Sequence, residues 1–142
     1  MPDVVVSPSV WGMTNPRLAV ISIITNDMPA AVAFYESVGL RLSGGGPAEP
    51  HSEFGGAGIK VMLDTREVML AIDPHWEPPS GGHAMALAFD CETPEDVDAT
   101  FDRMVAAGAG ISKKPWDAFW GQRYAVITDP DGNPVDLFAA LG

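Results

Sequence analysis

Apolar side chains recur at helical spacing in two segments of the chain. The first segment follows Asp27, a residue type that caps helix N-termini, and stops at Gly39. The second follows Thr93 and stops at Gly108, and both segments carry a proline in their first turn. The pattern predicts two helices that each cover a sheet, with apolar faces made of Val32, Tyr35 and Val38 in the first and Val97, Phe101, Met104 and Val105 in the second.

β-Branched and aromatic runs around these helices predict strands. We place eight of them, near residues 18–25, 40–43, 59–64, 67–72, 84–90, 110–113, 122–128 and 134–140. The Gly- and Pro-rich segment 43–58 is predicted as a loop that joins strands, and segment 73–82 as a linker.

The last two strands form the clearest local signal. Between them, Asp129-Pro130-Asp131-Gly132-Asn133 combines a fixed φ, short acceptor side chains and a glycine, which predicts a tight hairpin. Side chains alternate along the strand that follows, so Asp136 and Phe138 share one face of the sheet. Asp136 is therefore a carboxylate in an otherwise apolar strand.

The chain also repeats itself with an offset of 65 residues. Subtracting 65 carries Pro94 to Pro29 and Val97 to Val32, and it relates Asp129 to Asp64 and Leu137 to Ile72. This register predicts a duplicated strand-helix-strand-strand-strand unit. We expect an α+β fold in a single domain, 1–142, with a first βαβββ unit over 16–73 and a second over 83–142.

Charge and cysteine content narrow the possible partners and compartment. Eight basic and nineteen acidic residues give a net charge of −11, which opposes binding to nucleic acid or to anionic membranes. Cys91 is the single cysteine, and the chain has no basic, apolar N-terminal leader and no apolar run long enough to span a bilayer. We expect a cytoplasmic protein.

Two segments resemble the vicinal-oxygen-chelate superfamily, which includes glyoxalase I, extradiol dioxygenases and bleomycin-resistance proteins. They are FWGQRYAVITDPDGNPVDLF, residues 119–138, and ITNDMPAAVAFYESVGLRL, residues 24–42. The likeness extends over nearly the whole chain, and the WG-x-R-Y run is most similar to the bleomycin-resistance branch. The resemblance implies two βαβββ units whose curved mixed sheets surround a shared cavity that binds ligands.

Catalytic members of that superfamily hold a divalent ion with His, Gln or Glu from the first and last strands of each unit. Carried over to this chain, those positions fall near Val20, on Ala71, on Ala84 or Met85, and on Asp136. Among them only Asp136 is a strong donor, and His83 lies just upstream of the third position. We therefore expect no metal or other cofactor; if a divalent metal ion does bind, its ligands would be Asp136 and His83.

The favoured function is that of a small-molecule-binding protein that sequesters an aromatic or cationic compound, as bleomycin-resistance proteins do in antibiotic resistance. A metal-dependent glyoxalase-like lyase or isomerase, or a dioxygenase, is the alternative, so enzymatic activity stays open. An interaction module that binds no small molecule is a third possibility. The resemblance also implies a homodimer, to which the run Val4–Pro8 could add an exchanged strand.

Several side chains are candidates for ligand contacts. Aromatic planes stack on conjugated ligands and attract cations, while methionine adapts to irregular shapes. Trp116 and Trp120 could instead pack a loop against the core, Arg123 could be a structural ion-pair partner, and a loop histidine is commonly solvated. The candidate ligand-binding residues are Trp116, Trp120, Asp136, His51, Tyr124 and Met62.

Overall fold

The structure is a computed structural model that describes residues 16–55 and 58–142. The run Val4–Pro8 lies outside the described residues. The elements follow in the order β1 (Val20–Thr25), α1 (Met28–Val38), β2 (Leu42–Gly44), β3 (His51–Phe54), β4 (Lys60–Thr65), α2 (Arg66–Ile72), β5 (Leu87–Asp90), α3 (Pro94–Ala106), β6 (Gly110–Ala118), β7 (Gln122–Thr128) and β8 (Pro134–Ala140).

The strands form two mixed four-stranded sheets with the same topology. The first has the order β1-β4-β3-β2 and the second β5-β8-β7-β6. In each sheet the first strand of the unit pairs in parallel with the last, and the remaining pairs are antiparallel. The predicted α+β fold with two tandem βαβββ units is confirmed, and the two sheets stay open instead of closing into a barrel.

Both predicted helices form, with the predicted residues at their N-termini. The Asp27 carboxylate accepts a hydrogen bond from the backbone N–H of Ala30, and the Thr93 hydroxyl oxygen accepts one from the N–H of Asp96. Gly39 ends α1 with φ of 126°, a conformation that side chains with a Cβ disfavour. The buried faces of α1 and α3 contain every apolar position predicted for them except Val105, which is partly buried.

The prediction of a strand at 67–72 is wrong, because Arg66–Ile72 forms the short helix α2. A run of five apolar residues fits either structure by periodicity, and Met69, Leu70 and Ala71 are good helix formers. The strand missing from the first unit lies instead within the segment predicted as a loop. It is β3, His51–Phe54, which pairs antiparallel with β4.

Two other strand limits differ from the prediction by three residues or more. The strand β5 begins at Leu87 instead of residue 84, so Ala84 and Met85 belong to the linker. The strand β6 continues to Ala118, which places Trp116 inside this strand instead of in the segment between it and the next one. Two register shifts in the β6–β7 pair allow this long strand to follow its neighbour.

One apolar core joins the two units. It contains the buried faces of α1 and α3 together with inward residues of β3, β4, β7 and β8. Two polar contacts also join the units: the Tyr35 hydroxyl donates to Asp129 at 2.7 Å, and the Thr25 hydroxyl donates to Asp131 at 2.6 Å. Over 16–55 and 58–142, none of the helices is both long enough and apolar enough to cross a membrane.

Candidate functional site

Four aromatic side chains of the second unit form a continuous cluster, which we call the aromatic face. Tyr124 and Phe138 stand on β7 and β8 with ring centroids 6.4 Å apart, on the side of the sheet opposite the residues that pack against α3. Trp116 lies 5.6 Å from Tyr124, and Trp120 lies 5.3 Å from the same ring. The indoles of Trp116 and Trp120 meet edge to face at 6.0 Å.

Asp136 stands on the aromatic face, as the alternation along β8 predicts. Its carboxylate accepts a 2.5 Å hydrogen bond from the Tyr124 hydroxyl. Burial, and next the contact with Asp136, raise the pKa of Tyr124 to about 12, so the phenol remains a donor at neutral pH. One oxygen of Asp136 is thereby held in place, and the carboxylate keeps capacity to accept from a ligand.

Lys113 adds a cation to this surface. Its Nζ atom lies 4.1 Å from the centroid of the Trp116 ring, within the range of a cation–π contact. The Trp120 Nε1–H donates to Gln122 at 2.7 Å and fixes the orientation of that indole. Trp120 is 48% exposed and the adjacent Phe119 is 97% exposed, so aromatic surface remains open to solvent.

Arg123 points away from the aromatic face. Its guanidinium donates to the Asp98 carboxylate on α3 at 2.9 and 3.1 Å and to Asp117 at 3.0 Å. These contacts join α3 to β6 and β7, and the hydrogen bond that Arg123 donates to Asp98 is the main reason that the pKa of Arg123 is raised. The interpretation of Arg123 as a structural ion-pair partner agrees with this geometry.

His51 lies on the first sheet between two carboxylates. Its Nδ1 is 2.6 Å from Asp64, the cross-strand neighbour on β4, and its Nε2 is 3.1 Å from Glu53. Lys60 lies 3.6 Å from the other oxygen of Glu53. The hydrogen bonds to Asp64 and then Glu53 raise the pKa of His51 above its ordinary value. Both ring nitrogens are thus engaged within the protein.

The stability of the protein should depend on the protonation of His51. Because the folded-state pKa is raised, the contribution is fully present below the unfolded-state pKa of about 6.5 and is lost as pH rises through the higher folded-state value. Urea unfolding from about pH 5 to 9 should therefore show a decline in the free energy of unfolding that His51→Gln removes. His75→Gln, at an exposed linker histidine, should retain the decline. An unchanged slope in His51→Gln would contradict this assignment.

The strand pairing shows which side chains lie beside Asp136 and at the matching place in the first sheet, where a metal ion would need its ligands. On the second sheet Ala88 lies beside Asp136, and on the first sheet Ser22 lies beside Met62. Met62 and Asp136 are each the third residue of the last strand of their unit, so Met62 is the matching position in the first unit. The assignment of Ala71 by the 65-residue offset is wrong because Ala71 lies in α2. These four side chains offer one carboxylate, one hydroxyl and one thioether, which does not fit a catalytic divalent ion.

His83 does not complete that set. It is exposed in the linker, four residues ahead of β5. Throughout the described ranges, 16–55 and 58–142, no group of three or more His, Cys, Asp or Glu side chains is arranged to hold a metal.

The candidate residues belong to two different units of the fold. Trp116, Trp120, Tyr124 and Asp136 meet on the aromatic face, whereas His51 and Met62 stand on β3 and β4 of the first sheet. Alternation along β8 predicted that Phe138 shares the face of Asp136, but Phe138 was not among the candidate ligand contacts. Lys113 was not predicted, because the register shifts in β6 conceal its proximity to Trp116.

A separate cavity of about 500 Å³ lies between the two units, and we call it the inter-unit groove. The strand β1, the start of β5 and the linker segment Trp76–Pro79 form its walls. Tyr35, Asp131 and Asn133 also border it. None of the six candidate ligand-binding residues lines this groove.

The two-unit topology and the sequence agree with one family description. The model of the Glyoxalase/Bleomycin resistance protein/Dioxygenase superfamily matches residues 17–137. The chain belongs to this superfamily. Its members need not share one activity, because function depends on the site that each chain places on the fold.

Individual relatives support this assignment. The chain is 30% identical to the uncharacterized protein YraH of Bacillus subtilis over 127 residues, which cover 88% of this chain and 99% of YraH. The crystal structure of a glyoxalase/bleomycin resistance protein/dioxygenase family enzyme from Burkholderia phytofirmans superposes with a TM-score of 0.79 at 26% identity, covering 89% of this chain and all of that one. A lactoylglutathione lyase from Agrobacterium tumefaciens, at 21% identity and a TM-score of 0.64, covers 88% of this chain and 94% of its own and shares the fold.

Proposed function

We propose that this protein binds a flat aromatic small molecule on the aromatic face and sequesters it without a metal ion. The observation that carries the proposal is the cluster of Trp116, Trp120, Tyr124 and Phe138 around the carboxylate of Asp136. Large aromatic planes supply contact area at little cost in conformational entropy, and a few fixed polar groups orient the ligand.

The polar groups on the aromatic face determine which functional groups the ligand should have. Asp136 accepts hydrogen bonds, so it favours an N–H, O–H or ammonium group on the compound. Lys113 already places a cation against Trp116, so it favours an acceptor or anionic substituent at the opposite end. The proposed ligand is therefore a conjugated ring system with a donor group at one edge and an acceptor at another.

The side chains near Asp136 include few metal ligands, which supports binding of the compound without a metal ion. Among Asp136, Met62 and the residues beside them, Ala88 and Ser22, Asp136 is the single carboxylate and no imidazole is present. A catalytic ion in an open site needs about three protein ligands. The affinity of the proposed site comes instead from stacking and apolar burial, with Asp136 and Lys113 setting orientation.

We also propose that the protein acts in the cytoplasm as a homodimer, in the manner of a drug-sequestering resistance protein. The single cysteine, half-buried Cys91, supports a reducing compartment. The open sheets and the exposed Phe119 and Trp120 support a second copy as a neighbour of the aromatic face. Light scattering should then report twice the mass of the chain.

Binding of two flat probes tests the proposed site. Proflavine is a cation and anthraquinone-2-sulfonate is an anion, and titration calorimetry should detect at least one of them. The double variant Trp116→Ala/Trp120→Ala should weaken that binding about tenfold or more, because each lost aromatic contact is worth roughly 0.5–1.5 kcal/mol. Ile72→Ala, which removes an exposed apolar side chain of α2 outside the aromatic face, is the control and should leave affinity unchanged.

Metal dependence separates this function from its enzymatic alternative. Protein purified without chelators should contain no stoichiometric divalent ion, and EDTA should not alter the affinity for either probe. A tightly held ion together with turnover of a 2-oxoaldehyde hemithioacetal would overturn the proposal in favour of a glyoxalase-like lyase. Equal loss of affinity in Ile72→Ala and in the double variant would also overturn it.

A further inference from the structure

The inter-unit groove has the size and wall composition of a small-molecule site. Its volume of about 500 Å³ lies within the range of about 300–1,000 Å³ that is typical of ligand pockets. Apolar side chains form most of its walls, including Ile21, Ile23 and Ile24 of β1 and Leu87 of β5. The groove can therefore bury an apolar body of modest size.

Both strands that border the groove are edge strands. In the two sheets, β1 and β5 each pair with one neighbour, β4 and β8 respectively. Their outer backbone groups therefore face the groove side without a strand partner in the described part of the chain. Polar backbone atoms are thus available beside the apolar wall, where a bound molecule could use them.

The charged groups around the groove have one sign. The carboxylates of Asp131 and Glu77 line it, and the described residues that border it include no Lys, Arg or His. The whole chain carries a net charge of −11, which adds to the negative potential. Charge complementarity therefore selects a cationic ligand.

Asp131 is held in place for such a contact. The hydroxyl of Thr25 donates to Oδ2 at 2.6 Å, and the backbone N–H of Asn26 donates to Oδ1 at 2.8 Å. A carboxylate has about four acceptor positions, so each oxygen can still accept from a ligand. Since its geometry is already set by the protein, Asp131 can bind an ammonium group with little reorganisation.

Trp76 supplies an aromatic wall to the same groove. An indole attracts an organic cation through its π electrons. The aromatic face differs in this respect, because Lys113 already lies over Trp116 there. We propose that the inter-unit groove is a second binding site, separate from the aromatic face, and that it takes a hydrophobic organic ammonium ion.

Three probes with one ring system and different charges test this inference. They are 1-naphthylmethylammonium, neutral 1-naphthylmethanol and anionic 1-naphthylacetate. Titrated into ¹⁵N-labelled protein, the ammonium should shift the indole N–H resonance of Trp76, which the spectrum of Trp76→Phe assigns. Its affinity should exceed that of the alcohol about fivefold, as expected for solvent-accessible carboxylates, and the acetate should bind most weakly.

Variants locate the binding to the groove. Glu77→Gln should reduce the preference for the ammonium over the alcohol to about twofold while leaving the amide spectrum intact. Ala86→Phe adds a ring at an exposed position that lines the groove and should weaken all three probes about tenfold or more. Ala84→Phe, the same change at an exposed position outside the groove lining, is the matched control and should have no effect.

These measurements distinguish binding in the inter-unit groove from the proposed binding on the aromatic face. Shifts confined to Trp116 and Trp120 would assign the ammonium to the aromatic face and overturn the groove site. Equal affinity of the ammonium and the alcohol, or equal weakening by Ala84→Phe and Ala86→Phe, would overturn it as well. Loss of proflavine binding in the Trp116/Trp120 double variant would leave the groove site unaffected, since those residues do not line it.

Discussion

Replacing Asp129 with alanine is expected to lower the free energy of unfolding by about 3–5 kcal/mol. Asp129 is 4% exposed, and its carboxylate accepts from the Tyr35 hydroxyl, from the Asn133 side chain and from the backbone N–H groups of Asp131 and Asn133. Burial raises the pKa of Tyr35 above its ordinary value, so the phenol stays a donor. Alanine would leave this fully buried hydroxyl and the turn amides without their acceptor.

Urea denaturation of three variants separates these contributions. Tyr35→Phe removes one donor and should cost about 1–2 kcal/mol, clearly less than Asp129→Ala. Asp129→Asn keeps one acceptor oxygen and should fall between them. Asp102→Ala, at an exposed position on α3, is the control and should change stability by less than about 0.5 kcal/mol. If Asp129→Ala cost no more than Tyr35→Phe, the turn contacts would not contribute as described.

Gly45→Ala is expected to be the second severe change, with a loss of about 3–4 kcal/mol. Gly45 adopts a φ of +74°, and a Cβ built there would overlap the carbonyl oxygen of His51 and lie 2.8 Å from the Cα of Ser52. Both obstacles are backbone atoms of the paired strand, so no side chain can move aside to relieve them. The β2–β3 pair would have to separate.

Gly46→Ala is a matched control for this contact. Gly46 also has a positive φ, +153°, but a Cβ there would meet nothing within 4 Å. The control should therefore cost only about 1–2 kcal/mol, from backbone conformation alone. The difference between the two variants, measured by urea unfolding, reports the overlap with His51 and Ser52. Equal losses in both variants would contradict the close approach of β2 and β3.

The aromatic face shows which contacts a local sequence pattern can predict and which it cannot. Alternation along β8 predicts that Asp136 and Phe138 share a face, and the turn residues predict the hairpin that carries them. The same reasoning cannot reveal that Lys113 lies over Trp116, because two register shifts in β6 break the simple alternation. Neighbours along one strand are predictable, whereas neighbours across an irregular pair are not.

The first unit shows why short segments are ambiguous. Residues 67–72 are apolar enough for a strand but form α2, and His51–Phe54 forms β3 although glycine and proline are frequent around it. A short strand exists only if a partner accepts its hydrogen bonds, and β4 is that partner for β3. The choice between the two segments therefore depended on pairing instead of composition.

The sequence by itself determined the two capped helices, the closing hairpin and the duplicated unit. Each of these follows from residues near one another in the chain, through 3.6-residue or two-residue periodicity, capping and turn chemistry. The tertiary structure alone decided the pairing of Ser22 with Met62 and of Ala88 with Asp136, the burial of Asp129 against Tyr35 and the groove between β1 and β5. These features join residues far apart in sequence, and their geometry depends on how the two units pack around one core.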